Sequence, residues 1–223
     1  MNKLVAVVPI RKGSQRVKHK NFRPFGDSNL LIHKIEILKK LDFLDEIIIN
    51  TNSDKAISIA KKLNVKYFKR DEYFASSQCV NSDFWKNVAD NTSSEYIRFT
   101  NCTSPLIKLS TYKKIISLSK EIFENNKFDS LNTVTEIKEF LFEKNKPINF
   151  KLNKTPNSQD LPDIVKLNFA INILKTKQMS SRKSLIGKKP YLFKLDEIEG
   201  LDINSEYEFS FAEFLFKSKF LKY

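Results

Sequence analysis

Leu4-Val5-Ala6-Val7-Val8-Pro9-Ile10-Arg11-Lys12-Gly13-Ser14-Gln15-Arg16-Val17-Lys18-His19-Lys20-Asn21 runs an apolar segment straight into a basic loop. An unbroken apolar run such as Leu4–Val8 marks a parallel strand buried on both faces. Sheets built from such strands bind ligands just beyond their carboxyl ends. The loop beginning there sets Arg11, Lys12, Arg16, Lys18 and Lys20 around Gly13 and Ser14. Backbone N–H groups near Gly13 and Ser14 can line an anion, and the cations can neutralise it. A polyphosphate fits that description. A solvated turn fits it equally, because the spacing lacks both the Gly-Lys-Ser/Thr ending of a P-loop and the three glycines of a dinucleotide turn.

Outward from this loop, hydrophobic period organises the chain. Strands are expected at Leu4–Val8, Glu46–Thr51, Val65–Phe68, Tyr96–Thr100, Ser130–Val134, Leu167–Leu174 and Tyr191–Leu195. Helical stripes lie between them. One carries Leu30, Leu31, His33, Ile37, Leu38 and Leu41; a second, capped by Asp54, carries Ile57, Ile59, Ala60 and Leu63. Phe84, Trp85 and Val88 open a third, with Trp85 as its core anchor. Ser110 or Thr111 can cap a fourth through Phe123. A last helix after Asn204-Ser205 carries Phe209, Ala212, Phe216 and Phe220. Strand and helix alternating in this way form a doubly wound, mostly parallel α/β sheet. The alternation lapses over residues 138–166, where Phe140-Leu141-Phe142 and scattered prolines point to a projecting arm that covers substrate or mediates dimerisation.

The 223 residues fit a single domain spanning 1–223. With 39 Lys+Arg against 26 Asp+Glu, the net charge of +13 favours an anionic partner. The charge is dispersed, and no helix-turn-helix, zinc or RNP signature accompanies it, which argues against nucleic acid. Cys79 and Cys102 form neither a metal pattern nor a disulfide framework, and both read as small buried hydrophobes. No signal-peptide core and no run of roughly 20 apolar residues is visible, so a cytoplasmic protein that does not engage a membrane is expected. His33 reads as a boundary core residue, and His19 stands within reach of a phosphate in the basic loop. Asp42, Asp45 and Glu46 read as solvated turn residues, and Tyr191 and Phe193 as strand core.

Four segments, in order, carry a resemblance. Pro9-Ile10-Arg11-Lys12-Gly13-Ser14-Gln15-Arg16-Val17-Lys18-His19-Lys20-Asn21 matches Pro-Ala-Arg-x-Gly-Ser-Lys-Gly-x-x-x-Lys-Asn. Asn101-Cys102-Thr103-Ser104-Pro105-Leu106 matches Gln-Pro-Thr-Ser-Pro-Leu. Ser158-Gln159-Asp160-Leu161-Pro162, with Phe169-Ala170-Ile171-Asn172-Ile173 after it, matches Arg-Gln-Asp-Leu-Pro and Gly-Ala-Ile-Tyr-Ile. Leu201-Asp202-Ile203-Asn204 matches Ile-Asp-Ile-Asp. Through these motifs, over nearly its whole length, the chain resembles the acylneuraminate cytidylyltransferases, the CMP-sialic acid and CMP-Kdo synthetases.

The resemblance implies a Rossmann-like nucleotidyltransferase fold that joins CTP to an acidic sugar and releases pyrophosphate. It places Arg11, Gly13, Ser14, Lys20, Asn21 and Arg70 at the nucleotide, with Arg11, Lys20 and Asp202 as catalytic residues. Asn101 and Gln159 fall at acceptor positions. Asp202 and Asn204 fall at the metal, most naturally Mg²⁺, which uses few carboxylates besides substrate oxygens. The resemblance also implies a homodimer in which the arm reaches the partner's site. Five departures bear on the acceptor and metal: Ser158 replaces the family's carboxylate-gripping arginine, Asn101 a glutamine, Phe169 a glycine, Asn204 an aspartate and Ser77 an aspartate. Lys138, Lys154 and Lys166 are the nearby cations able to replace that arginine. A phosphorylated or phosphonate acceptor, or a relative without catalysis, is the alternative reading.

Overall fold

A computed structural model of the chain describes residues 3–14 and 16–218; Gln15 and Phe220 lie outside the described residues. In chain order the strands are β1 (Leu4–Ile10), β2 (Pro24–Phe25), β3 (Ser28–Asn29), β4 (Glu46–Thr51), β5 (Lys66–Lys69), β6 (Tyr96–Phe99), β7 (Ser130–Ile137), β8 (Phe142–Glu143), β9 (Lys146–Pro147), β10 (Ile164–Lys175) and β11 (Pro190–Leu195). The helices are α1 (Leu30–Lys39), α2 (Asp54–Lys62), α3 (Glu72–Ala75), α4 (Asn81–Asp90), α5 (Leu109–Glu124), α6 (Thr176–Arg182) and α7 (Glu206–Lys217).

Seven strands form one sheet in the order β11-β7-β10-β6-β1-β4-β5. Its neighbouring pairs are parallel except where β10 runs antiparallel to both β6 and β7. Strand β1 shows why its sequence has no polar alternation. Leu4, Ala6, Val8 and Ile10 face one core with α1, α2, α5 and α7, while Val5 and Val7 face a second core with α4 and α6. Helices on both faces leave no solvated side, so every position is apolar. From β1 the chain moves one way to β4 and β5, then returns to β6 on the other side of β1. That reversal is the switch point at which the loops after β1 and β6 diverge and leave a crevice.

Several local expectations are corrected. Helix α2 is capped by Ser53, whose side chain accepts from Ala56 N–H, and Asp54 is its first residue. Helix α5 starts earlier, at Leu109, with no cap from its own side chains. The Glu199 carboxylate serves instead, accepting the Lys108 N–H at 3.0 Å and the Thr111 hydroxyl at 2.9 Å. Asp45 and Glu46 are tied down: Asp45 accepts the Leu4 N–H at 2.6 Å and Glu46 pairs with Lys66. Cys102 is buried, whereas Cys79 is half exposed. Tyr191 and Phe193 are only partly buried, because β11 is a sheet edge.

Strand β10 is longer than expected and carries an irregularity between Leu167 and Asn172, with Phe169 at φ +53°. A bulky residue in that region is strained, and glycine would adopt it freely. Between β7 and β10 the chain forms the β8–β9 hairpin and a 3₁₀ turn at Ser158–Asp160. Phe140, Phe142 and Phe150 pack edge to face there with ring centroids 5.0 and 5.4 Å apart. Phe142 is nevertheless 55% exposed and Leu152 69%.

Candidate active site

Two cavities open at the carboxyl end of the sheet. The first, of about 440 Å³, lies at the switch point and is lined by Arg11, Ser14, Arg16, Lys20 and Asn21 from the loop after β1. Asn101, Cys102 and Thr103 after β6 form its opposite wall, with Asn81 at the start of α4. The second, of about 460 Å³, lies over β7 and the first half of β10, between Thr135, Glu136, Lys166, Asn168, Glu197 and Phe211. Asp202 and Asn204 line both cavities, so the two meet at the segment that leads into α7.

The basic loop takes its shape from a buried anchor and two strained residues. Val17 is fully buried, so the chain turns back into the core between exposed cations. Gly13 has φ +78° with open space where a Cβ would stand, so conformation rather than crowding calls for glycine. His19 has φ +54°, and its carbonyl accepts the N–H groups of Phe22 and Arg23. Its side chain is exposed and lies outside both linings. Lys12 N–H donates to Asn52 Oδ1 at 2.7 Å, joining the loop to the end of β4.

The opposite wall is held from beneath by α1. Lys34, fully buried, donates to the Ser104 carbonyl at 3.0 Å and to the Tyr112 hydroxyl at 2.5 Å. His33 Nε2 donates to the Pro105 carbonyl at 2.9 Å. Burial, reinforced by Lys34 and Lys40, pushes His33 down to about 4, so the ring is neutral at pH 7. Burial likewise pushes the Cys102 thiol up to about 12, which leaves it a small apolar wall group. The junction segment is pinned between both walls. Ile203 N–H donates to the Thr103 carbonyl at 2.8 Å, and Lys20 Nζ donates to the Ile203 carbonyl. Burial lowers the Lys20 pKa, with Asp202 opposing and Arg16 and Arg11 reinforcing.

Asp202 is wired asymmetrically. Its Oδ2 accepts from Asn204 Nδ2 at 2.7 Å, while its Oδ1 is buried without a partner. Asn204 Oδ1 accepts from Arg16 Nη2 at 2.7 Å. Glu208 fastens the segment to α7 by accepting from Asn204 N–H at 2.7 Å and from the Ser205 hydroxyl at 2.9 Å. No group of three or more His, Cys, Asp or Glu converges among the described residues. A single orphaned carboxylate oxygen beside a cationic cavity nonetheless suits Mg²⁺, which takes most of its ligands from phosphates and water.

Of the residues singled out in the sequence, Arg11, Ser14, Lys20, Asn21, Asn101, Asp202 and Asn204 come together around the first cavity. Arg70 does not line it. It is buried beneath the loop, donates from Nη2 to the Ile10 carbonyl at 2.6 Å and lies 4.6 Å from the Phe84 ring centroid. Burial lowers its pKa to about 10, which leaves it cationic. Gln159 is exposed on the 3₁₀ turn, outside both linings. Of the three lysines near the Ser158 departure, Lys166 alone lines the second cavity; Lys138 is engaged with the Leu161 carbonyl and Asp163. Asn168, Glu197 and Glu208 escaped the sequence reading. For Glu208 a signal existed, since Ser205-x-x-Glu208 is a helix-start pattern.

Comparison with known proteins concerns the family and the fold. Residues 5–183 match the family model described as "Cytidylyltransferase". The chain is 27% identical over 234 residues to the post-translational flagellin modification protein B of Campylobacter coli, covering 100% of this chain and 98% of that protein. It is 27% identical over 231 residues to the CMP-N,N'-diacetyllegionaminic acid synthase of Campylobacter jejuni, covering 98% of this chain and 97% of that protein. Among solved structures, a CMP:2-keto-3-deoxy-manno-octonic acid synthetase complexed with CTP superposes with a TM-score of 0.69 at 13% identity, covering 98% of this chain and 100% of that one. At that identity the likeness shows a shared fold. Among the described residues no helix is long and apolar enough to cross a membrane.

Proposed function

Because this chain belongs to the cytidylyltransferase family, we propose that it transfers CMP from CTP to an acidic sugar of the nonulosonic class and releases pyrophosphate. The observation that carries the reading is the pair of cavities meeting at Asp202: one cationic and sized for a triphosphate, the other chemically different and sized for an acceptor. The nonulosonic class is supported by the full-length likeness to a CMP-N,N'-diacetyllegionaminic acid synthase.

Arg11 and Lys20 bind the triphosphate and stabilise charge that builds on the departing pyrophosphate. Lys20 is fixed through the Ile203 carbonyl, so little reorganisation of that side chain accompanies the reaction. Ser14 lines the cavity and offers its backbone N–H, Gly13 beside it lies outside the lining and sets the turn, and Asn21 and Asn101 line the same cavity. Arg70 shapes the end of β1 from below. A magnesium ion, held by Asp202 Oδ1, would neutralise phosphate oxygens there. Asp202 stands where an acceptor hydroxyl entering from the second cavity would meet the α-phosphate. In that cavity Lys166 would hold the acceptor carboxylate. Glu136, Glu197 and Glu208 would accept hydrogen bonds from hydroxyl and amide groups. A phosphorylated or phosphonate acceptor fits that acid-rich lining less well.

The exposed apolar residues of the arm, Phe142 and Leu152 among them, call for cover. A second copy is the proposed cover, with Phe211 at the rim of the acceptor cavity beside the exposed Tyr207 and Phe214. Sedimentation of the wild-type protein as a dimer, and of Phe142→Glu as a monomer, would support it; a wild-type monomer at 10–100 times the assay concentration (roughly micromolar, where stable interfaces hold) would sink it. The activity itself is tested with CTP, Mg²⁺ and a panel of nonulosonic, Kdo-type and phosphonate acceptors, following pyrophosphate. Release with nonulosonic acids is expected. Release with phosphonates alone would overturn the acceptor assignment, and CTP binding without release from any acceptor would overturn the activity.

A further inference from the structure

The link Arg16–Asn204–Asp202 has a chemical logic of its own. A carboxamide offers an acceptor at one end and a donor at the other. Asn204 uses both at once, accepting from Arg16 Nη2 and donating to Asp202 Oδ2, each at 2.7 Å. An aspartate at 204 could accept from Arg16 but would set a second negative charge against Asp202. The carboxamide therefore holds a guanidinium and a carboxylate at opposite ends of one rigid group at the cavity junction.

Two consequences follow for the charges available to a triphosphate. One oxygen of Asp202 is spent on Asn204, leaving Oδ1, buried and without a partner, as the free ligand. Paired divalent cations stand about 3.5–4 Å apart, and among the described residues lining the first cavity Asp202 is the one carboxylate, so a second cation there would have no protein carboxylate of its own. Arg16, meanwhile, is otherwise a solvent-exposed side chain with many rotamers. Asn204 restricts it to the cavity wall alongside Arg11 and Lys20. A guanidinium pre-set in this way presents its remaining donors to phosphate oxygens as a planar fork.

We propose that Arg16, positioned by Asn204, is a triphosphate-binding residue that supplies the fixed positive charge a second divalent cation would otherwise bring, so that the site works with one cation on Asp202. The proposal rests on the reading of the first cavity as the CTP site.

The test uses the full chain and calorimetric CTP binding in EDTA, where no metal contributes. Arg16→Ala should weaken CTP binding by about fivefold or more, the scale of one charge-assisted contact. Arg16 is exposed, so its variants keep the fold, and Arg16→Met serves as a second form of the same test. Asn204→Ala should also weaken binding, and Arg16→Ala should add little on top of it, as coupled groups do. Electron paramagnetic resonance with Mn²⁺ should find one ion per chain at saturating CTP. A smaller loss in both Arg16 variants, additive effects of Arg16→Ala and Asn204→Ala, or two Mn²⁺ per CTP-bound chain would overturn the proposal. Absence of CTP binding by the wild-type protein in EDTA, with binding restored by Mg²⁺, would overturn this inference alone; absence of binding with Mg²⁺ present would overturn the proposed function, and this inference with it.

Discussion

Asp202 has one oxygen engaged and one free, and the two should separate in experiment. Asp202→Asn keeps the size of the side chain but removes its charge; kcat/KM should fall by at least ~100-fold, the scale of losing one transition-state charge contact. Arg11→Ala should cost a similar factor. Near-wild-type rates for both variants would show that catalysis takes place elsewhere. His33 tests stability. Its pKa falls from 6.5 when unfolded to about 4 when folded. The unfolded chain therefore binds more protons between those values, and stability is lost as pH falls through that window. The loss approaches about 3 kcal/mol at ~1.4 kcal/mol per pH unit. Urea unfolding at pH 7 and pH 4.5 should show it, and His33→Gln should flatten the difference between the two. At this scale the basic wall of the first cavity was readable in the sequence, because Arg11, Ser14, Lys20 and Asn21 fall on one contiguous loop. The Arg16–Asn204 bond was not, because it spans 188 positions and exists only once two loops meet.

Helices and strands were legible where the local pattern decides them. Strand β4 lies where the apolar run placed it, and the α7 cap is Ser205, just before the first apolar-periodic turn. The start of α5 was misread because its cap comes from Glu199, 91 residues away, and no local pattern records such a contact. Glu199 is buried and satisfies both an orphan helix N–H and the Thr111 hydroxyl. Glu199→Ala should therefore destabilise the protein by about 1–3 kcal/mol, the cost of leaving buried donors unmet. A change within ~0.5 kcal/mol in the denaturation midpoint would mean that water replaces the carboxylate there. Strand β10 was undercalled for a similar reason. Its first residues are only partly buried, and the irregularity at Phe169 breaks the alternation by which a strand is recognised.

Across the whole molecule, the strand–helix alternation made the doubly wound sheet readable, and the switch point then located the crevice. The second cavity was not readable in this way. It is assembled from β7, β10, the Glu197–Asn204 segment and α7, which share no sequence period. The antiparallel strand in that region also has a temporal meaning. On a ribosome, β4, β5 and β6 can pair as they emerge, since each finds a neighbour already made, and β1 waits only for β4. Strand β7 cannot, because its two neighbours, β10 and β11, are both synthesised after it. For the time taken to translate from Ile137 to Lys175, a strand whose positions Ser130 to Thr135 end up buried waits without a pairing partner. A chain released at residue 160 should accordingly be cleaved by protease within Ser130–Ile137, while the full chain should resist there. The aromatic arm is the stretch translated during that wait, and its Phe140, Phe142 and Phe150 rings pack on one another, so it can fold locally before the strand's neighbours arrive.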